Sequence, residues 1–198
     1  MRWFQNVPAL IFGLGCGLAC TAAQNDPTLN VLVYSGVAPE ILVQAEADSS
    51  RILERAGVLL NWRNCRPEYP CPIAPDFVHV SMRIVNHTGR EGLGCSLVTK
   101  AGGSDAVAGL ENVQRLAVAS GIPAWQILAA VMAHEIGHLM LGPSHSGGGL
   151  MHGNWDVHDL GHLGQRQLKF DLAQSTRLKA AVLARSRPER TLLAARRP

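Results

Sequence analysis

Residues 123–145 read PAWQILAAVMAHEIGHLMLGPSH. Apolar side chains (Ile127, Leu128, Ala129, Val131, Met132, Ile136, Leu139, Met140) recur almost without interruption, and Gly142-Pro143 closes the run. The pattern predicts a helix over Pro123–Leu141, stopped by a C-terminal glycine and the proline behind it. Three polar side chains break the apolar sequence: His134, Glu135 and His138. Residues four apart share one helix face, a turn apart. Both imidazoles can therefore reach a single metal ion at about 2.0–2.1 Å. Glu135 can lean over the same point, hold a water molecule and accept its proton. A pentapeptide of the form HExxH also arises by chance in helices that merely carry two histidines. The context weighs against chance here, because a carboxylate and two imidazoles are costly to bury in an apolar helix without a partner.

A catalytic zinc needs a third protein ligand and an open position for water. A downstream glutamate is almost excluded, since the one glutamate after Glu135 is Glu189, in a basic terminal stretch. His145 lies just past the Gly142-Pro143 turn and is the preferred ligand, with Asp156, Asp159, His152 and His158 as fallbacks. This part of the chain is unusually rich in imidazole. Six of the 8 histidines (134, 138, 145, 152, 158 and 162) fall between His134 and His162.

Outward from that helix, strands are expected at Leu29–Tyr34, Val58–Trp62, Asp76–Val85 and Leu93–Thr99, with a short edge strand at Asp105–Leu110. In DFVHVSMRIV (76–85), Val78, Val80, Met82 and Ile84 form a core face. Helices are expected at Pro39–Ala56, ended by Gly57, at Glu111–Ser120 and at Gln165–Ala184. Residues 142–164 read as a glycine- and histidine-rich loop. This succession implies an α+β (α/β-like) domain with a mixed sheet.

Residues 1–23, MRWFQNVPALIFGLGCGLACTAA, have the layout of a secretory signal peptide. The apolar run is short of the roughly 20 residues that a membrane span needs, so no span is expected in the mature chain. A lipoprotein attached through Cys20 is the less favoured alternative to a secreted or periplasmic protein. Export favours disulfide formation. Cys65 and Cys71 bracket the rigid loop RPEYP and are the preferred pair, leaving Cys95 as a small buried thiol. The catalytic domain is expected over 24–184, with a basic disordered tail at 185–198. Five arginines in that tail, together with Arg2, exceed the whole net charge of +3, so the body of the chain is slightly acidic. With aromatics at 5%, neither a basic surface nor a stacking platform for nucleic acid is implied.

HEIGHLMLGPSH followed by GGGLMHGNWD resembles the metzincin zinc proteases, whose pattern is HExxHxxGxxH with a methionine turn. The spacing here is HExxHxxxGxxH, one residue longer before Gly142. The resemblance implies a mixed twisted sheet, an active-site helix, a methionine turn at Met151 and a C-terminal helix. It also implies an edge strand that aligns substrate, for which Asp105–Leu110 is the candidate. HExGHLxLGxxHSxxGxMxxxW, which takes in Trp155, is similar to a group of uncharacterised bacterial exported proteins described as metallopeptidases. A donor to the developing oxyanion, filled by tyrosine in some metzincins, has no local tyrosine here; His152 and His158 are the alternatives.

The expected function is zinc-dependent endopeptidase activity on a peptide or protein substrate. One Zn2+ is held by His134, His138 and His145, and a zinc-bound water is activated by Glu135. The alternative is a catalytically inactive zinc-binding module of the same fold, which has no need of Glu135.

Overall fold

The computed structural model describes residues 26–66, 69, 71–72, 79–89, 92–99 and 102–186. The expected signal segment 1–23 lies outside these residues, as do residues 76–78 of the expected third strand and all but two residues of the expected tail. Among the described residues no helix is long and apolar enough to cross a membrane.

Among the described residues five strands form one sheet: β1 (Thr28–Ser35), β2 (Leu59–Cys65), β3 (His79–Val85), β4 (Gly94–Thr99) and β5 (Gly102–Gly109), in the order β2-β1-β3-β5-β4. All neighbours are parallel except β4, which runs antiparallel to β5 at the edge. The alternation expected in β3 holds: Val80, Met82 and Ile84 are buried, while His79, Ser81 and Arg83 are not. Leu29, Val31 and Val33 of β1 and Ala106 and Ala108 of β5 join the same core. The other face carries polar pairs such as Asn61 Nδ2–H to Asn30 Oδ1 at 2.9 Å.

Helices α1 (Pro39–Glu54) and α3 (Ala124–Leu141) pack on the sheet and on each other, with α2 (Leu110–Ser120) and α5 (Leu172–Arg185) against α3. A further helix, α4 (Val157–Gly164), lies where a continuous loop was expected. Its start is a capping box: Asp156 caps the backbone of Asp159, whose side chain reaches back to Asp156. The usual form of that box has Glu or Gln at the third helical position, so the Asp-x-x-Asp form gave no signal. Helix α5 likewise starts later than expected, at the Asp171–Gln174 capping box. Residues 165–170 are extended, with Leu168 and Phe170 buried. Arg185, assigned above to the tail, ends α5 and donates to the carbonyls of Gly103 and Leu139, both at 2.8 Å.

Strand β5 is interior, which corrects the expectation of an edge at 105–110. Its small residues mimic an edge pattern, but they serve close approach by α3. A Cβ at Gly102 would lie 2.6 Å from Leu139 O, and one at Gly103 would lie 3.1 Å from Leu139 Cδ2. The edge beside α3 is β4.

One polar cluster ties the helices together. Buried Asp48 of α1 accepts from Arg51 Nε at 2.8 Å and from both Nε and Nη2 of Arg166, at 3.0 and 2.5 Å. Arg166 has φ +58, and its guanidinium sits 5.5 Å over the Trp125 ring of α3. Its carbonyl accepts from Arg51 and Arg55, each at 3.0 Å. Removing one partner of a fully buried ion pair costs about 3–5 kcal/mol. Arg51 and Arg166 are 26% and 51% exposed, so water re-solvates them when the carboxylate is lost. Asp48→Asn is therefore expected to destabilise the fold by about 1–3 kcal/mol, read as a lower denaturant midpoint at unchanged slope.

Candidate metal centre

Helix α3 is buried on nearly every face, from Gln126 to Met140. His134, Glu135 and His138 are 8%, 4% and 7% exposed. Each therefore needs a partner supplied by the rest of the chain.

His134 Nδ1–H donates to the Leu150 carbonyl at 2.6 Å, and His138 Nδ1–H donates to the Gly142 carbonyl at 2.9 Å. These bonds place the proton on Nδ1 and leave Nε2 of each ring as the lone pair. The helix continues to Leu141, with Gly142 N–H bonded to His138 O at 2.9 Å. Gly142 then turns at φ 94°, ψ −173°, a conformation open in practice to glycine alone. The residue added relative to the metzincin spacing is thus absorbed as one more helical position. The turn brings His145 back so that its Nε2 lies 3.1 Å from His138 Nε2. One ring nitrogen from each of His134, His138 and His145 lies within 4.8 Å of the others, with His145 the exposed member.

The donor set fits a divalent transition metal. Two imidazole lone pairs brought to 3.1 Å repel unless a proton or a cation lies between them. Second-sphere carbonyls on Nδ1 are also the arrangement that orients metal-binding histidines. Burial drives the pair on α3 toward neutral forms. His134 is lowered to about 4 by burial, with the neighbouring His138 and His145 adding to it and the Leu150 carbonyl opposing. His138 is lowered for the same first reason.

Glu135 projects beside the imidazoles. Burial pushes its carboxyl up to about 7, opposed by the Ser96 hydroxyl, which donates to Oε2 at 2.6 Å. A Cβ at Gly94 would lie 2.6 Å from Glu135 Oε1, so β4 passes close to the carboxylate.

Met151 is 1% exposed and packs beneath α3. A Cβ at Gly137 would lie 2.5 Å from its Sδ and 2.9 Å from a Phe170 ring carbon. The turn that holds it is closed by Ser146 N–H to Met151 O and His152 N–H to Gly149 O, at 2.9 and 3.1 Å. Trp155 Nε1–H shares the Leu150 carbonyl at 3.1 Å, and its ring meets His134 edge-on at 6.0 Å.

The fallback ligands are not part of the three-imidazole group. His152, Asp156 and Asp159 form their own cluster, and His158 pairs with His162 at a ring separation of 4.2 Å. Cys65 and Cys71 form a disulfide remote from the imidazoles, while the free Cys95 is half-buried and lines the cleft. Sequence reasoning missed Ser96, which lies 39 residues from its partner with no local pattern linking the two. The imidazoles and Glu135 open into a cleft of about 480 Å³, walled by β4 on one side and by His152–Trp155 on the other.

No family model matches this chain. No curated protein matches it either. Among solved structures it is similar to the crystal structure of archaemetzincin from Methanopyrus kandleri. The TM-score is 0.51 at 13% identity, covering 82% of this chain and 99% of that one. At that identity the likeness is one of fold, and the mixed sheet with its helices is archaemetzincin-like.

Two expectations follow. Gly→Ala inside a helix ordinarily stabilises by about 1 kcal/mol, but Gly137→Ala must displace Met151 or Phe170. It should instead destabilise by about 1–3 kcal/mol, measured by denaturant unfolding.

The second concerns metal-stripped protein. The lowered pKa of His134 removes stability as pH falls from the unfolded value toward about 4. The raised pKa of Glu135 removes stability as pH rises toward about 7. The two oppose each other in this window. Glu135→Gln should therefore unmask a steeper loss of thermal stability on acidification than the parent chain shows.

Proposed function

We propose that this chain is a zinc-dependent endopeptidase. The observation that carries the reading is the convergence of three imidazoles, within 4.8 Å, beside a buried carboxylate in an open cleft. His134, His138 and His145 would hold the ion, and a purely structural site has no use for Glu135. Zinc supplies a Lewis acid that polarises a peptide carbonyl and lets water ionise near neutral pH.

The remaining work falls to the chain's own residues. Glu135 accepts the proton of the water whose oxygen attacks the scissile carbonyl carbon. It then delivers that proton to the amide nitrogen as the C–N bond breaks, and the second proton of the water passes from the new carboxyl group to the amine, leaving a carboxylate and an ammonium group. The Ser96 hydroxyl fixes one carboxylate oxygen so that the other meets the water.

Strand β4 replaces 105–110 as the strand that aligns substrate. It lies at the sheet edge, and Gly94, Cys95, Ser96 and Val98 line the cleft. An extended peptide can add there by main-chain pairing. The Cys65–Cys71 disulfide suits an exported protein, secreted or periplasmic.

The zinc-loaded protein should cleave an unstructured polypeptide, lose activity to a chelator and regain it with zinc. Glu135→Gln should keep stoichiometric zinc and lose about 10²–10⁴-fold in kcat. His145→Ala should lose most zinc affinity by equilibrium dialysis. Turnover no higher than background by wild type and Glu135→Gln alike, with zinc bound, would leave the inactive zinc module as the answer.

A further inference from the structure

We infer that His152 is a further catalytic residue, donating Nε2–H to the oxygen of the scissile carbonyl as that oxygen gains negative charge. The assignment rests on the peptidase reading above.

His152 follows the buried Met151 and lines the same cleft as Glu135 and His145, with its side chain 25% exposed. Its Nδ1 is bonded to Oδ2 of Asp159, whose side chain is 3% exposed. Asp159 is itself fixed. Its Oδ1 accepts from Gly149 N–H at 3.0 Å, and its Oδ2 from Asp156 N–H at 3.3 Å. It is also a member of the capping box that starts α4. A carboxylate so supplied with donors stays ionised: its pKa is lowered, because the bonds from His152, Gly149 and Asp156 outweigh the opposing effect of burial.

The ring is therefore held by its Nδ1 edge. Asp159 does not line the cleft, whereas His152 does. The ring edge left to face the cleft is the one carrying Nε2. With Nδ1–H bonded to the Asp159 carboxylate, a proton on Nε2 makes the ring a cation, and that carboxylate is the counter-charge beside it.

Elimination points the same way. Among the described residues lining the cleft there is no lysine, arginine or tyrosine. Trp155 Nε1–H is already committed to the Leu150 carbonyl. Among the described residues, His152 and Asn154 are the side chains on that wall left to donate to an oxyanion; Asn154 is exposed, whereas His152 is held by the buried Asp159. The cluster of His152, Asp156 and Asp159 could be taken instead for a second cation site. Its geometry is accounted for by hydrogen bonds. Asp156 Oδ1 accepts from the backbone N–H groups of His158 and Asp159, each at 2.9 Å, and both Asp159 oxygens are occupied as described.

The test uses the full zinc-loaded chain, a peptide that the wild type cleaves, and a peptide phosphonate whose anionic oxygen mimics the tetrahedral state. Removing one oxyanion donor lowers kcat by about 10²–10³-fold. His152→Ala should show that loss with KM and zinc content unchanged, and phosphonate affinity should fall in parallel. His152→Gln, which restores an N–H donor, should recover part of both. Asp159→Asn should weaken phosphonate binding through the same ring. Asn154→Ala should be near wild type.

A His152→Ala enzyme within about threefold of wild-type kcat overturns the assignment. So does a loss confined to KM, or a loss that follows Asn154→Ala instead. An inactive zinc-loaded wild type overturns the peptidase reading itself, and this assignment with it.

Discussion

Two imidazoles and a carboxylate buried at the centre of an apolar helix set the demand to which the rest of this structure responds. Each of these groups left without a partner would cost about 1–3 kcal/mol, a large share of the net stability of a domain. The partners come from three separate places. The turn after α3 supplies the Gly142 carbonyl, the loop beneath supplies the Leu150 carbonyl, and the edge strand supplies the Ser96 hydroxyl. The topology follows from bringing these three segments to one helix. Strand β4, antiparallel to β5, must pass beside α3, the helix must stop where glycine can turn it, and the loop must pass back under it.

Close approach is the second requirement, and it explains the small residues. Leu139 meets Gly102 and Gly103, Met151 meets Gly137, and Glu135 meets Gly94. Each contact brings a backbone or a large side chain to where a Cβ would otherwise stand. The loop from 142 to 156 has little apolar mass of its own. It is held by the methionine seated under α3, by the shared Leu150 carbonyl and by the capping box at Asp156. The wall of the cleft opposite β4 is therefore rigid through polar bonding more than through hydrophobic packing.

The parts of this arrangement that were legible in the sequence are those with local periodicity. The α3 helix, its glycine stop, the alternation in β3 and the HExxH spacing depend on residues a few positions apart. His145 was legible because Gly142-Pro143 forces a reversal just before it. Strand β5 was misread because GGSDAVAG has the small side chains of an exposed edge, whereas the cause is a helix crossing it. Helix α4 was missed because Asp-x-x-Asp is an unusual capping pair in a stretch dominated by glycine. Ser96 and the Asp159–His152 pair were out of reach for a different reason. Their meaning lies in contacts made across the fold, and no spacing rule encodes them.

This distinction bears on how far a distant fold likeness reaches into chemistry. The groups that orient His134 and His138 are backbone carbonyls, which any residue at positions 150 and 142 supplies once the chain takes that path. Imidazole orientation is thus a property of the fold and can survive extensive sequence change. The bonds to Glu135 and within the Asp159–His152 pair come from side chains, so a single substitution removes them while the fold stays intact. The orientation of the imidazoles is accordingly what the architecture protects. The side-chain bonds to Glu135 and His152, on which the proposed handling of the proton and the oxyanion rests, are what this particular sequence adds to it.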